Sequence, residues 1–171
     1  TAETAATKDR NRKAMFAYLG VFGMAPLIFM MDVRSWMLQG TFWGIATLLV
    51  INAAMAARTG VHRLAPALVL NFAGAFMLSR LAGPFMITPI VILAMLLSFA
   101  SNPTLLARPR LYVGWALVAV MLPIVLELTD LLPRTWWITE GLIKTRSDFF
   151  TLHGTTDELA LIVANLGFLL I

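Results

Sequence analysis

Long apolar stretches separated by short charged segments are the feature that most constrains how this chain can fold. Residues 36–57, for example, contain no charged side chain. A helix that crosses a bilayer needs about 20 mostly apolar residues, whereas helices of soluble proteins average about 11–12. Because lipid offers the backbone no hydrogen-bonding partner, stretches of this length within a membrane must be helical.

The composition supports a membrane location. Of the 171 residues, 60% are hydrophobic and 13% are charged, against about 25% charged in an ordinary soluble domain. The net charge is +4, but the basic residues adjoin apolar stretches, which indicates contact with lipid headgroups rather than with nucleic acid. The absence of cysteine excludes disulfides and thiolate metal sites. We therefore expect the lipid bilayer as partner, no nucleic acid and no cofactor.

The predicted fold is all-α, a polytopic transmembrane helical bundle with about six spans. Residues 1–13 are predicted to be a cytoplasmic linker, and residues 131–158 a long outer loop within the transmembrane domain of residues 14–171. The predicted spans are approximately residues 14–31, 36–57, 64–79, 81–100, 111–130 and 159–171, the last of which is cut short by the end of the sequence.

The distribution of basic residues predicts the orientation. In this arrangement of spans, more lysine and arginine residues lie on the side of the N-terminus than on the other side, which favours a cytoplasmic N-terminus. We therefore expect a multi-pass protein of the bacterial inner membrane. The polar start, residues 1–7, is typical of a linker, and we expect it to be covalently linked to a cytoplasmic domain upstream.

The outer loop admits two interpretations. Trp136 and Trp137 begin a segment of strand-forming residues, and Glu140-Gly141 has the form of a two-residue turn that would let residues 142–145 pair back as a small β-hairpin. Alternatively, the two tryptophans form an interfacial aromatic belt at the end of the fifth span. The sequence leaves both interpretations open.

Few residues suggest chemistry. Glu127 and Asp130 lie one helical turn apart at the end of the fifth span, where they form either a pair that binds a cation or passes a proton, or simply an exposed helix end, which we favour. Arg80, between the third and fourth spans, is expected at a membrane interface. His62 and His153 fall on opposite sides of the predicted membrane and so cannot share a metal. We therefore predict no catalytic, cofactor or metal site.

Four residues are candidates for helix packing. Asn52 and Asn71 are mid-span amides that can hydrogen-bond between helices, at about 0.6–2 kcal/mol each. Gly40 and Gly44 match the motif by which membrane helices pack closely. That motif is the only sequence feature that favours a homodimer.

Several short segments resemble one protein family. Residues 80–89 (Arg-Leu-Ala-Gly-Pro-Phe-Met-Ile-Thr-Pro), 122–127 (Leu-Pro-Ile-Val-Leu-Glu) and 131–133 (Leu-Leu-Pro) are similar to the polytopic region of serine/threonine protein kinases from myxobacteria and related deltaproteobacteria. Residues 138–143 resemble the short strand–turn–strand after the fifth span of that family, with Glu-Gly at the turn in place of Asp-Gly. The resemblance covers about residues 11–171. It implies a cytoplasmic kinase domain followed by a linker and a helical membrane region.

The resulting hypothesis is a non-catalytic domain that anchors a bacterial signalling protein in the membrane and senses a signal; by the resemblance, the parent is a Ser/Thr kinase. Whether the parent protein is an enzyme depends on the upstream domain. The alternative is a small transporter or channel component, in which Asn52, Asn71, Glu127 and Asp130 would converge on a polar cavity; a membrane enzyme lacks a catalytic set. The candidate sensing residues at the outer side are Glu127, Asp130, Trp136, Trp137 and Glu140.

Overall fold

A computed structural model describes residues 2–23, 25–28, 32–61, 63–85, 88–100 and 107–151. This part of the chain is mostly helical, as the predicted all-α class requires, and also contains two small antiparallel sheets. The elements in chain order are α1 (Ala2–Phe22), α2 (Ala25–Ile28), β1 (Asp32–Val33), α3 (Trp36–Thr59), α4 (Leu64–Ala82), α5 (Thr88–Ala100), α6 (Pro109–Leu128), β2 (Trp136–Thr139), β3 (Leu142–Thr145) and β4 (Phe150–Thr151).

Three helices of the described chain are long and apolar enough to cross a membrane. They are α3, α4 and α6, with 24, 19 and 20 residues. At 1.5 Å per residue their lengths are about 36, 28 and 30 Å, close to the hydrocarbon thickness of roughly 30 Å. They coincide with the second, third and fifth predicted spans to within a few residues. The sixth predicted span, residues 159–171, lies outside the described residues.

The large apolar side chains of these helices lie mainly on the outside, the opposite of their distribution in a soluble protein. The buried faces carry mostly small residues, with Leu49 and Leu78 as exceptions, whereas many large hydrophobic side chains of the same helices are exposed. In lipid, small residues let helices approach closely, and large apolar side chains gain nothing by leaving the surface. The distribution therefore suits helices surrounded by lipid. The small buried residues are Ala46, Ala53, Ala56, Gly74, Ala75, Ala116 and Ala119, and the large exposed ones include Met37, Leu48, Ile51, Val69, Leu117, Val118 and Met121.

The chain divides into two compact units, of which the first comprises the described residues up to Leu70 together with those from Phe149 onward. Within it, α1 packs along α3. The rings of Phe22 and Trp43 are 5.1 Å apart at one end. At the other end, a Cβ atom on Gly60 would lie 2.6 Å from the Thr4 side chain. The two helices therefore run antiparallel over their length.

Helix α1 departs from the prediction for this region. It runs without a break through residue 13, where a linker was expected to give way to the first span, and it ends at Phe22 rather than near residue 31. Its first half is rich in alanine, a strong helix former. Lys13 pairs with Asp9 at 2.9 Å, one turn away, and this hydrogen bond raises the pKa of Lys13. Contact with α3 also supports a helix that the charged sequence did not suggest.

The segment before α3 also holds more structure than expected. Asp32 pairs with Thr151 and Val33 pairs with Phe150 in a short antiparallel sheet. Ser35 then caps α3, because its hydroxyl oxygen accepts a hydrogen bond from the backbone N–H of Leu38. The short connection between the first two predicted spans thus pairs with residues 150 and 151 near the end of the described chain.

The second unit comprises Asn71–Asp148. Its core lies where α4, α5 and α6 meet, at Ala75, Ile92, Ala116 and Ala119. These residues are mostly small, so the helices come close and leave little room for larger side chains.

Helix α5 is shorter than the predicted span of residues 81–100. Helix α4 continues to Ala82, and Gly83 then adopts a left-handed conformation with φ of +80°. A left-handed glycine is a common way to end a helix, and Pro84 cannot continue one. The Thr88 hydroxyl donates a hydrogen bond to the Gly83 carbonyl at 3.2 Å, where α5 begins. The turn therefore falls inside the segment that was predicted as the start of the span.

Of the two interpretations that the sequence leaves open for the outer loop, the structure contains the β-hairpin. Strands β2 and β3 pair from Trp136 with Thr145 to Thr139 with Leu142. The turn residues Glu140 and Gly141 have φ values of +53° and +76°. Positive φ at both central residues is the requirement of a two-residue turn that matches the twist of the strands.

Glu140 is strained in this turn, because left-handed φ costs most L-residues about 1–2 kcal/mol and asparagine less. We expect Glu140→Asn to raise the free energy of unfolding by at least about 0.5 kcal/mol. Thermal unfolding in detergent micelles would measure the change. Lys144→Asn, at an exposed extended position of β3, is the matched control and should not stabilise. Equal changes in the free energy of unfolding from both substitutions would show that the left-handed conformation of Glu140 does not lower the stability.

Candidate functional site

Helices α4 and α6 each carry a charged residue in the last turns before their C-termini, and both residues are buried. The side chain of Arg80 is 4% exposed and that of Glu127 is 0% exposed. The Arg80 Nη1 atom donates a hydrogen bond to Glu127 Oε1 at 2.5 Å. The C-terminal ends of the two helices are therefore joined by a buried ion pair.

A second carboxylate binds the same guanidinium. Arg80 Nη2 donates to Asp148 Oδ2 and also to the Pro133 carbonyl, the latter at 2.7 Å. In return, the backbone N–H of Asp148 donates to the Arg80 carbonyl at 3.0 Å. Arg80 therefore holds both the chain that precedes β2 and the chain that follows β3.

Thr135 completes the group around Glu127. Its backbone N–H donates to Glu127 Oε2 at 3.0 Å and its hydroxyl donates to Oε1 at 2.7 Å. Thr135 is fully buried. We refer to Arg80, Glu127, Thr135 and Asp148 as the Arg80 cluster.

The charges of the cluster are nearly balanced. Arg80 faces two carboxylates, and Arg146 Nη2 lies 3.9 Å from Asp148 Oδ1, with its side chain 41% exposed. Two positive charges thus offset two negative ones. Helices α4 and α6 both end here, and the negative ends of their dipoles favour a cation such as Arg80. A buried charge is tolerated when it is paired and hydrogen-bonded in this way.

The cluster is suited to holding structure together rather than to catalysis. Both oxygens of Glu127 accept hydrogen bonds, and both oxygens of Asp148 lie near a guanidinium. Within the described residues, these contacts engage all four carboxylate oxygens with groups of the chain itself. Throughout the ranges that the structure describes, no three acidic, histidine or cysteine residues group closely enough to hold a metal.

The hairpin is also held by apolar contacts at its base. The ring of Trp136 meets Phe85 edge to face, with centroids 4.7 Å apart. A Cβ atom on Gly83 would lie 3.1 Å from the Thr145 side chain, so a larger residue there would require Thr145 to shift. The base of the hairpin therefore rests on the turn between α4 and α5.

Glu127 and Asp130 do not form a site together. Helix α6 ends at Leu128, and Asp130 then takes a left-handed conformation with φ of +57°. Its exposed carboxylate lies 3.5 Å from Arg134 Nε. The favoured prediction of an exposed helix end is wrong for Glu127, because the Arg80 cluster buries it, although it describes Asp130 well.

The other candidate sensing residues lie on the hairpin. Trp136 is half-buried, and its indole N–H has no hydrogen-bond partner in the described ranges. Trp137 and Glu140 are exposed. The hairpin thus presents these two residues to the surroundings.

The predicted packing residues have different surroundings. Gly40 and Gly44 are exposed, and a Cβ atom at either would meet nothing within 4 Å in the described structure. The buried Oδ1 of Asn52 has no hydrogen-bond partner there, whereas Asn71 is 1% exposed. The glycine pair therefore packs against none of the described helices.

Sequence reasoning missed the roles of Arg80, Thr135 and Asp148. Arg80 was expected at an interface, yet it is buried at the ends of two helices. One signal was available: an arginine with apolar residues on both sides is costly within a membrane and implies a partner. Nothing in the sequence indicates that the partners lie 47 and 68 positions away.

Comparisons with protein-family models, with curated proteins and with solved structures found no match for this chain. Inferences about function therefore rest on the geometry described above and on the sequence.

Proposed function

We propose that this chain is a membrane-anchoring and sensory domain, in which a hairpin beyond the helix ends is joined rigidly to spanning helices. The observation that carries the proposal is the Arg80 cluster. Thr135 directly precedes β2, and Asp148 follows β3 by three residues. Both ends of the hairpin are therefore bonded to residues in the last turns of α4 and α6.

A rigid connection of this kind can transmit a displacement of the hairpin to α4 and α6. A loop attached only by its peptide bonds would absorb a push through its own flexibility. Here, motion of the hairpin must either break buried hydrogen bonds of Arg80 and Glu127 or move the helix ends that carry them. Helix shifts of about 1–2 Å are a common form of signal transmission, and α4 and α6 are packed around a shared core of small side chains.

The membrane part of the proposal draws on the apolar helices. Helices α3, α4 and α6 have the length and composition of spans, and their large hydrophobic side chains face outward. A multi-pass arrangement in a bacterial inner membrane with a cytoplasmic N-terminus is supported by the distribution of basic residues. A Ser/Thr kinase as the attached upstream domain is supported by the resemblance of residues 80–89.

The transporter alternative is less well supported. It requires Glu127 and Asp130 to converge with the two asparagines on a polar cavity. Glu127 instead accepts hydrogen bonds from Arg80 and Thr135, whereas Asp130 is exposed beside Arg134.

The test replaces the hairpin, residues 136–145, with a Gly/Ser linker of equal length in the full-length protein. Because the chain has no cysteine, Leu97→Cys and Leu111→Cys can carry spin labels on α5 and α6, at the helix ends opposite to the hairpin. We expect the replacement to shift or broaden the distance distribution between the labels, measured by double electron–electron resonance in lipid nanodiscs. We also expect the signal-dependent activity of the attached domain to be lost.

The outcomes separate the two parts of the proposal. An unchanged distance distribution together with unchanged regulated activity would eliminate the sensory role and leave anchoring. Recovery of the unaltered protein outside the membrane fraction would eliminate anchoring itself. The matched control is Glu140→Asn, which retains Gly141 and the hairpin and should leave the distances between the labels unchanged.

A further inference from the structure

The part of the hairpin beyond its base is apolar and exposed. Ile138 is 68% exposed, Leu142 63%, Ile143 59% and Trp137 41%. A two-stranded hairpin has no core of its own in which to bury such residues, and a pair of strands alone is at most marginally stable in water. Exposed apolar side chains grouped in this way commonly mark a contact with a membrane or another molecule.

The pairing of the strands determines which of these residues face the same way. Trp136 pairs with Thr145 and Ile138 pairs with Ile143. Because side chains alternate along a strand, these four residues share one face. Trp136 and Thr145 rest on the turn between α4 and α5, so Ile138 and Ile143 continue the same face past the end of that turn.

We propose that Ile138 and Ile143 insert into the surface of the bilayer, so that the hairpin lies along the membrane as an interfacial anchor. This inference rests on the proposed membrane location. The turn that supports the hairpin joins the apolar helices α4 and α5, which places it near the level where those helices leave the lipid. A strand of four residues extends about 13 Å, whereas the headgroup layer on each side is only about 5–8 Å thick. The hairpin therefore fits along this layer.

The exposed charges near the hairpin are mostly basic. Lys144, Arg134 and Arg146 are exposed around it, against Asp130 and Glu140 as exposed acidic groups. Lys144 pairs with Trp137 and so lies on the face opposite to Ile138 and Ile143, from which its long side chain can reach the headgroups beside the inserted face. Basic side chains beside an apolar insertion favour an anionic membrane surface. Together with the adjoining ends of the apolar helices α4 and α5, these charges select a phospholipid surface as the occupant of the apolar face.

The experiment uses the absence of cysteine to place one fluorophore at a time on the full chain. Ile138→Cys reports on the hairpin, Leu117→Cys on the exposed face of α6, and Asp9→Cys on the charged start of α1. Each labelled protein is reconstituted into vesicles of phosphatidylcholine and phosphatidylglycerol, with and without lipids brominated near the top of the acyl chains. We expect brominated lipid to quench the label at position 138 to an extent comparable with position 117, and to leave position 9 largely unquenched.

The outcomes distinguish a failure of the interfacial anchor from a failure of the membrane location. Quenching at position 117 without quenching at position 138 would overturn the interfacial anchor and leave the membrane domain intact. Absence of quenching at position 117 would overturn the membrane location on which both depend. If brominated lipid does not quench the label at position 138, and labels at that position quench one another in detergent as the protein concentration rises, the apolar face binds a second copy of the chain. Lys144→Gln should lower the quenching at position 138 in the vesicles with phosphatidylglycerol but not in pure phosphatidylcholine.

Discussion

Replacing Arg80 with methionine is expected to lower the free energy of unfolding by about 3–5 kcal/mol, because the substitution leaves buried carboxylates without their cation. Methionine retains much of the side-chain length, so the loss reflects the charge and its hydrogen bonds rather than a cavity. Arg80 contacts Glu127, Asp148 and the Pro133 carbonyl. Titration with a denaturing detergent in mixed micelles, followed by tryptophan fluorescence, would measure the change.

Two further variants make this result specific. Arg134→Met removes an exposed ion pair with Asp130 at 3.5 Å and is expected to cost less than about 1 kcal/mol. Adding Glu127→Met to Arg80→Met removes the buried carboxylate as well and should restore part of the lost stability. If Arg80→Met lowers the free energy of unfolding by no more than Arg134→Met does, the Arg80 cluster does not stabilise the second unit.

The second large effect is expected for Thr135→Val. Valine has nearly the same shape as threonine but cannot donate the hydroxyl hydrogen bond to Glu127 Oε1, which measures 2.7 Å. Hydrogen bonds to charged groups contribute about 1.5–3 kcal/mol, so we expect a loss of that size in the free energy of unfolding. The same micelle titration applies.

Thr129→Val is the matched control for this substitution. The hydroxyl of Thr129 is exposed and donates to the Val125 carbonyl of its own helix at 2.9 Å, so its loss should change the stability by no more than about 0.5 kcal/mol. Similar losses of stability from the two threonine substitutions would show that the hydrogen bond between Thr135 and Glu127 stabilises the fold no more than an exposed one does.

The elements that depend on local sequence could be predicted. Helix α3 begins at Trp36, where the apolar stretch begins, because Ser35 supplies the cap and the following residues lack charge. The hairpin turn at Glu140 and Gly141 could be identified from strand-forming residues on both sides of a glycine. Helix α1 could not be predicted, since its charged start is supported by α3, which lies far along the chain.

The candidate site could be predicted only in part. Glu127 and Asp130 have equivalent positions in the sequence, three residues apart near the end of an apolar stretch, and a helix continued to residue 130 would place them on one side. The helix stops at Leu128 instead, so one carboxylate turns inward and the other outward. The difference arises from Arg80 and Thr135, which of these two carboxylates bind that of Glu127. Long-range contacts of this kind leave no periodicity in a sequence.

The separation of Arg80 from its partners along the chain has a consequence for biosynthesis. Glu127 follows Arg80 by 47 residues and Asp148 follows it by 68, so α4 leaves the ribosome well before either carboxylate exists. At a typical synthesis rate of about 5–20 residues per second, the guanidinium waits several seconds for its first partner. During that interval Arg80 must stay in contact with water or lipid phosphate. The full set of bonds around Arg80 can therefore form only after the chain has been translated as far as Asp148.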